Sequence, residues 1–364
     1  MLNQGLIQKL LKEYVGAVNG EEAAARHLGI EADRIAQALG GDLSHWTLGR
    51  LVRLARGLGV DDRIFFGEGG VVPMQLLAFR NDQWGGLDPR DGIIARKALE
   101  RAATLRSLGW QSHPYKASPL RKGTPYDLGY RLAERVRKDL KSTNEPLTNL
   151  TRLVEQRFGI VVAWAEMVTP RMEAMAVAAP GGEAIVLNST WRPNSIGTFV
   201  RRNIAHELCH ILFDVRRSQL LVKSDMDSAF SMEKDDMEKR ANAFAAELLV
   251  PKAGVELCLQ GRPKVIQDPQ SADTLTTEVA NHFGAPWLMT AWHLRNRGFI
   301  DKEKAGDPPN FTEGTANTAG PWSAPRERST IEDFAAAQVE AGLLGRLRAQ
   351  ELSEVLTWAP GTKG

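Results

Sequence analysis

Three residues in one short segment carry groups that could bind a metal ion and split an amide bond. His206, Glu207 and His210 form the pattern His-Glu-x-x-His. Residues four apart in a helix lie on one face, so the two imidazoles can bind one ion. The carboxylate of Glu207 can take a proton from an attacking water and pass it to the leaving amine. Zinc suits this donor set, because it acidifies water and polarises the scissile carbonyl.

The third protein ligand is expected to be a carboxylate, since no further histidine follows His210 at short spacing. A second predicted helix, over residues 231–250, offers Glu238 and Glu247, which lie nine positions apart and therefore on opposite faces. Glu238 shares its face with small residues that permit close helix packing, so it is the predicted ligand. Asn242, one turn later, could orient a ligand histidine or be a solvated helix position. Glu247 is expected to form a salt bridge or a cap.

Stabilisation of the oxyanion formed during amide hydrolysis needs a donor from outside these two helices. His282 and His293 are the downstream imidazoles that could serve, and an ordinary surface or core position is the alternative for each. The sequence does not choose between them. Cys209 adjoins both predicted ligands, but its side chain is expected to point into the core.

The elements that must position these groups follow from hydrophobic periodicity. Residues 196–213 predict the helix that carries the two histidines, and residues 160–165 predict a strand. Residues 184–188 predict a second strand, joined to the sheet by a tight turn at Pro180-Gly181-Gly182. The predicted fold is α+β, with a mainly helical catalytic domain built around a small β-sheet.

The first 66 residues predict short helices with helix-turn-helix spacing. Ala25 permits close helix crossing, Gly29 permits the left-handed turn, and Ile35 anchors the second helix. Arg34 and Gln37 are the candidate DNA contacts on that helix. Residues 1–66 contain eight basic and eight acidic side chains, so docking to a protein remains an alternative to DNA binding.

Composition limits the class of protein. The formal net charge of +2 does not by itself predict nucleic-acid binding. Residues 90–141 hold thirteen Lys or Arg against five Asp or Glu, for which a solvated helix face is the simpler interpretation and contact with DNA or an acidic partner the alternative. Two cysteines, no signal peptide and no long apolar run favour a cytoplasmic protein without a membrane span.

The chain is expected to divide into five parts. Four Pro and three Gly between residues 306 and 328 indicate a flexible linker. The tail beyond it shows helical periodicity and is expected to dock on the rest of the chain. The predicted parts are a helix-turn-helix bundle at 1–68, a linker with a basic helical segment at 69–127, a metallopeptidase domain at 128–305, the linker at 306–328 and a helical tail at 329–364.

Several motifs together resemble the ImmA/IrrE family of bacterial and phage zinc metallopeptidases, which are often fused to a phage-repressor (XRE-like) helix-turn-helix. The resemblance covers roughly residues 128–300 and is carried by the strand Ile185-Val186-Leu187-Asn188, by the segment from Arg201 to His210 and by the segment from Glu238 to Pro251. Cys209 stands where family members often have Gly, and Arg202-Asn203 where Phe-Thr is common. Neither difference removes a predicted ligand.

The resemblance implies a zinc endopeptidase that cleaves a repressor or antitoxin-like regulator and so releases transcription of stress, mobile-element or phage-defence genes. It also implies Glu238 as the third ligand. The alternative is a transcription regulator that uses the helix-turn-helix as its output and the peptidase fold as a sensor or partner-binding module. The cleavage site, the activating signal and the oligomeric state do not follow from the sequence.

Overall fold

The computed structural model describes residues 2–58, 60, 62–66, 89–110, 122–169, 172–179, 182–214, 221–226, 236–308, 322, 324, 326, 327 and 329–356. Within these ranges, the chain forms fifteen α-helices and one four-stranded sheet. The predicted α+β class is therefore confirmed. The predicted linker near residue 70 lies outside the described residues.

A bundle of short helices forms the N-terminal part. Apolar side chains from each helix pack into one buried cluster, with Ile35 and Leu54 fully enclosed. Gly29 has φ of 59° and its carbonyl accepts a hydrogen bond of 2.6 Å from Arg53. The helices are α1 (Gln4–Ala17), α2 (Glu21–Leu28), α3 (Ala32–Leu39) and α4 (Leu48–Leu58), followed by a 3-10 helix at Asp62–Phe66.

The remaining helices surround the sheet or extend the domain beyond it. They are α5 (Pro89–Ser107), α6 (Pro125–Asp139), α7 (Leu150–Phe158), α8 (Gly197–Cys209), α9 (Asp236–Leu249), α10 (Lys252–Cys258), α11 (Pro269–Phe283), α12 (Trp287–Asn296), α13 (Lys302–Ala305), α14 (Thr330–Glu340) and α15 (Arg346–Ser353). No helix among the described residues is long and apolar enough to cross a bilayer.

The sheet has the order β1-β3-β2-β4, with β1 (Val161–Ala165), β2 (Met172–Ala179), β3 (Gly182–Asn188) and β4 (Leu221–Met226). β1 and β3 are parallel, and the other pairs are antiparallel. Ala179 lies opposite Gly182, so a two-residue connection joins β2 to β3. Sequence periodicity predicted β1 and β3 but missed β2 and β4, because the alanine-rich β2 and the polar β4 have weak strand signals.

Both faces of the sheet are buried. Alternate strand residues point to opposite sides, so Val162 and Ile185 pack with the helices that include α8, while Val161 and Val186 pack with α5, α14 and α15. The catalytic motif therefore lies on one side of the sheet and the C-terminal helices on the other.

The solvated face expected for the basic segment is wrong for α5. Ile93 joins the core of the N-terminal bundle, and the following apolar residues pack on the sheet. Arg101 is buried and donates hydrogen bonds of 2.8 Å to the carbonyls of Glu351 and Glu354 at the end of α15. Basic side chains in α5 thus serve internal packing as well as solubility.

The described end of the expected flexible linker is packed against the catalytic part. Glu327 forms a 2.7 Å ion pair with the buried Arg201 of α8, and the Trp322 ring lies 4.3 Å from the same guanidinium. Beyond α15, Leu356 accepts and donates backbone hydrogen bonds at the outer edge of β1. Within the expected flexible linker, Trp322 and Glu327 thus pack against the rest of the chain, because Arg201 is a buried charge that needs partners.

Candidate metal centre

Helices α8 and α9 bring three potential ligands together. The Nε2 atoms of His206 and His210 are 3.1 Å apart, and Glu238 lies 3.0 Å from the first and 3.5 Å from the second. Both histidines are buried, whereas the carboxylate of Glu238 is a quarter exposed. In the described part of the chain, this is the single cluster of three or more such side chains that could hold a metal ion.

The spacing of the three groups fits a tetrahedral metal. Bonds of about 2 Å at tetrahedral angles separate two ligand atoms by roughly 3.3 Å. The two Nε2 atoms are 3.1 Å apart and Oε2 of Glu238 lies 3.0 Å from Nε2 of His206, which is near that value, while the other oxygen, Oε1, lies 3.5 Å from Nε2 of His210. Two imidazole nitrogens and one carboxylate oxygen are also the donor set of many catalytic zinc sites, which keep a fourth position open. The residues present therefore fit zinc.

The other ring nitrogen of each histidine is held by a second polar side chain. Nδ1 of His206 lies 3.1 Å from Oδ1 of Asn242, and Nδ1 of His210 lies 2.6 Å from Oδ2 of Asp214. An acceptor at Nδ1 keeps the proton on that atom and leaves Nε2 available to a metal. Asn242 thus occupies the place expected of an orienting residue.

Asp214 reaches His210 because the helix changes its pitch at the ligand. The α-helical turns of α8 end at Cys209, and His210–Asp214 continues as a π-helix. Such turns are frequent at functional sites. Arg240 of α9 donates a hydrogen bond to the other oxygen of Asp214, so this contact also ties the two ligand-bearing helices together.

Glu238 is ionised in this environment. Burial alone would raise its pKa, but hydrogen bonds and charge from His206 and His210 lower the pKa well below its usual range. A carboxylate held in its charged form beside two imidazoles is ready to bind a cation.

Glu207, the predicted general base, is buried on α8 between the two histidines in sequence. Cys209 is fully buried, as expected, and burial raises its thiol pKa. The thiol is therefore not poised as a reactive thiolate.

The two weaker imidazole candidates are not brought into the cluster. His293 is buried, 2.9 Å from the carbonyl of Val250 and 3.4 Å from Glu247. Glu247 lies about 13 Å from Glu238 along α9, at the rise of a regular helix. His282 is exposed on α11, with its ring against Phe283. Neither ring belongs to the cluster of possible ligands, and a role of His282 or His293 as oxyanion donor stays a prediction.

Glu247 combines the two roles expected of it. Its carboxylate pairs with Arg297 at 3.2 Å and accepts a 2.8 Å hydrogen bond from the backbone of Lys252 at the start of α10. Burial opposes its charge, but His293 and Arg297 lower its pKa. It stabilises the C-terminal end of α9.

The candidate DNA contacts lie together on α3. Arg34 donates a 2.8 Å hydrogen bond to Gln37. Gln37 is exposed and Arg34 is partly exposed. Nearby Glu31 pairs with Arg50 of α4 at 2.9 Å. DNA binding by this surface stays a prediction.

Sequence reasoning missed four polar residues around the cluster. Asp214 could have been suspected, because it lies four residues after His210. Arg240 gave no distinct signal within a helix rich in charge, and Glu173 lies on the unpredicted β2. Arg202 differs from the residue common in the resembling family, but the sequence predicted no role for it. It forms a 2.5 Å ion pair with Glu173 in the buried layer between α8 and the sheet.

Two histidines and a glutamate on adjacent helices, packed on a small sheet with a glutamate beside the first ligand, define a metallopeptidase-type domain. Residues 156–294 match the profile of the M78 peptidase family, described as the IrrE N-terminal-like domain. This match covers less than half of the chain and contains all the residues of the cluster. It supports a peptidase of this type. No curated protein shows a significant match to the chain.

Proposed function

We propose that this protein is a zinc-dependent endopeptidase that cleaves a repressor or antitoxin-like DNA-binding protein. The observation that supports it most directly is the convergence of His206, His210 and Glu238 in one cluster that could hold a metal ion. The match of residues 156–294 to a peptidase family supports the same reaction class. The choice of a regulatory substrate rests on the family resemblance and on the N-terminal helices.

His206, His210 and Glu238 would hold the ion. Zinc at such a site supplies Lewis acidity, which acidifies a water molecule and polarises a carbonyl group. Glu207 accepts the proton of the attacking water and then donates it to the departing amine nitrogen. Asn242 and Asp214 hold the imidazoles in orientation through Nδ1, so the ligands do not need to reorganise during the reaction.

The sheet offers a place for an extended substrate. β1 and β4 are its two edge strands, and the outer edge of β1 is partly occupied by Leu356. The backbone of β4 pairs with β2 on its inner side. A peptide segment that adds to the outer side of β4 would gain main-chain hydrogen bonds, which is a common way to bind an extended chain.

The first test is the metal content of the purified protein. We expect one zinc per chain in the wild type and loss of the metal in His206→Ala and Glu238→Ala. Asp236→Asn is the matched control, because it changes an exposed acidic residue of the same helix. A wild type that stays metal-free after zinc addition would overturn the proposed site.

Substrate cleavage needs a separate test with DNA-binding regulators encoded near this protein. The wild type is expected to cut one of them at a single site, and Glu207→Gln should bind zinc without cutting. The second candidate function, a non-proteolytic regulator, is favoured by the helix pair α2 and α3 with its turn at Gly29. Sequence-specific DNA binding that is retained in Glu207→Gln, without cleavage by the wild type, would support that alternative.

A further inference from the structure

Arg202 is a buried charge beside the candidate metal centre that the mechanism above does not use. Its side chain is 7% exposed. One terminal nitrogen, Nη1, donates to Glu173 at 2.5 Å and to Asn203 at 2.8 Å. The other, Nη2, lies 3.5 Å from Oδ1 of Asn242, the residue that contacts His206. Arg202 is therefore placed to act on a predicted ligand through one intermediate side chain.

The guanidinium is fixed from the side of the sheet. Glu173 belongs to β2, and its charge balances that of Arg202, so the pair adds no net charge near the cluster. Asn203 donates a 2.9 Å hydrogen bond to Asn194, which in turn donates to the carbonyls of Glu173 and Asn188. A planar guanidinium held at one nitrogen presents its other nitrogen in a defined direction.

The amide of Asn242 has two possible orientations with opposite consequences. With Oδ1 toward His206, the amide accepts from Nδ1 of the ring, and Nε2 is left for a metal. In the reverse orientation, the amide would donate to Nδ1, and the ring proton would lie on Nε2, 3.0 Å from the carboxylate of Glu238. In that second state both ring nitrogens still have hydrogen-bond partners, but Nε2 of His206 carries a proton and has no lone pair for the ion.

Arg202 makes the second state unfavourable. A reversed amide would turn its NH₂ group toward Nη2 of the guanidinium, so two donors would face each other in a buried site. Although 3.5 Å is a long hydrogen bond, the full charge of the guanidinium still discriminates between an oxygen and an NH₂ group at that distance.

We propose that Arg202 is a positioning residue that fixes the amide orientation of Asn242, so that Oδ1 of the amide faces Nδ1 of the predicted ligand His206. The inference rests on the proposed zinc function.

The spectroscopic test uses nitrogen NMR of the full-length, metal-free protein labelled at histidine, with His206→Ala for assignment. Conditions are mildly alkaline, which favours neutral rings. The variant Arg202→Lys keeps the ion pair with Glu173 but loses the second nitrogen. We expect Nδ1 of His206 to be protonated in the wild type and largely unprotonated in Arg202→Lys. An unchanged proton position in the variant would contradict the proposal.

The zinc affinity provides the second readout, measured by competition with a chelator. Arg202→Lys is expected to bind zinc about tenfold more weakly, within the range found for residues that orient ligands. The same substitution is also measured in a protein that carries Asn242→Asp. A carboxylate has two acceptor oxygens, so either of them can accept a hydrogen bond from the ring. There, Arg202→Lys is expected to change the affinity less than about twofold.

The outcomes distinguish a failure of the role proposed for Arg202 from a failure of the proposed function. Equal losses of zinc affinity in both backgrounds would mean that Arg202 only supports packing, and no loss in either would mean that it does not act on the ligand. Each of these overturns the present inference alone. Failure of the wild type to bind zinc would overturn the proposed function and this inference together.

Discussion

Oδ2 of Asp214 lies 2.6 Å from Nδ1 of His210, and Oδ1 of the same carboxylate accepts a hydrogen bond from Arg240. One buried aspartate therefore orients a predicted ligand in the π-helical turn after α8 and also binds α9, which carries Glu238. Carboxylate partners of this kind raise the basicity of a metal-binding imidazole.

Removal of the carboxylate should weaken metal binding while the three ligands remain. We expect Asp214→Ala to lower the zinc affinity by roughly 10- to 100-fold, and Asp214→Asn, which keeps one acceptor, to lower it less. Chelator competition measures both. Asp236→Ala is the control, because it removes an exposed carboxylate two residues before Glu238 on α9. Equal affinities of Asp214→Ala and the control would contradict the orienting role.

Glu155 should give the folded protein a pH-dependent stability. It is fully buried and accepts hydrogen bonds from Ser329 and Thr330 at the start of α14. Burial raises its pKa to about 7, although these hydrogen bonds oppose the shift. The unfolded chain releases this proton near the ordinary value of 4.5. The folded state therefore binds more protons between these values, and stability falls as the pH rises from about 4.5 to above 7.

The expected contribution is up to about 3 kcal/mol of the free energy of unfolding, present at low pH and lost above neutrality. Urea denaturation at several values between pH 5 and pH 8 measures it. Glu155→Gln cannot titrate, so the fall in stability over this range should be smaller in the variant. Parallel pH profiles of the two proteins would show that Glu155 does not titrate in this window.

The ion pair between Arg201 and Glu327 should hold the C-terminal segment to α8, the helix that carries His206. Arg201 also donates to the carbonyls of Gly284 and Leu147 and is almost fully buried. Loss of its carboxylate partner leaves a buried charge incompletely balanced. We expect Glu327→Gln to lower the free energy of unfolding by about 3 kcal/mol.

Glu332→Gln provides the matched control for Glu327→Gln. Its carboxylate pairs with Arg326 at 3.1 Å, but both side chains are nearly half exposed. We expect a change below about 1 kcal/mol. Thermal and chemical denaturation should show that Glu327→Gln is less stable than Glu332→Gln. Similar stabilities of the two variants would indicate that the ion pair of Glu327 contributes little to the folded domain.

Close packing of α6 on α9 should depend on Gly129. A methyl group at this position would overlap the backbone of Arg240 and Phe244. We expect Gly129→Ala to lower the free energy of unfolding by about 1 to 3 kcal/mol and to weaken zinc binding, because α9 carries Glu238 and Asn242. Gly49→Ala is the control, since Gly49 is exposed on α4 with open space around it. It should stabilise that helix by about 1 kcal/mol.

The sequence by itself determined the features that depend on local periodicity. Spacing of four residues was enough to select His206 and His210 as a pair on one helix face. A separation of nine positions between Glu238 and Glu247 was enough to separate their roles, because a helix fixes the angle between them. The short apolar runs of β1 and β3 likewise marked two of the four strands, and Gly29 marked the turn between α2 and α3.

The tertiary structure alone decided which distant groups surround that local pattern. Glu173 acts on Arg202 from an alanine-rich strand that reads poorly as a strand, and Glu327 reaches Arg201 from 126 positions away in the chain. The π-helical turn that presents Asp214 also departs from regular periodicity. A buried charge requires a partner, and the fold can supply that partner from any part of the chain. The distance along the sequence therefore does not indicate which residue the partner is.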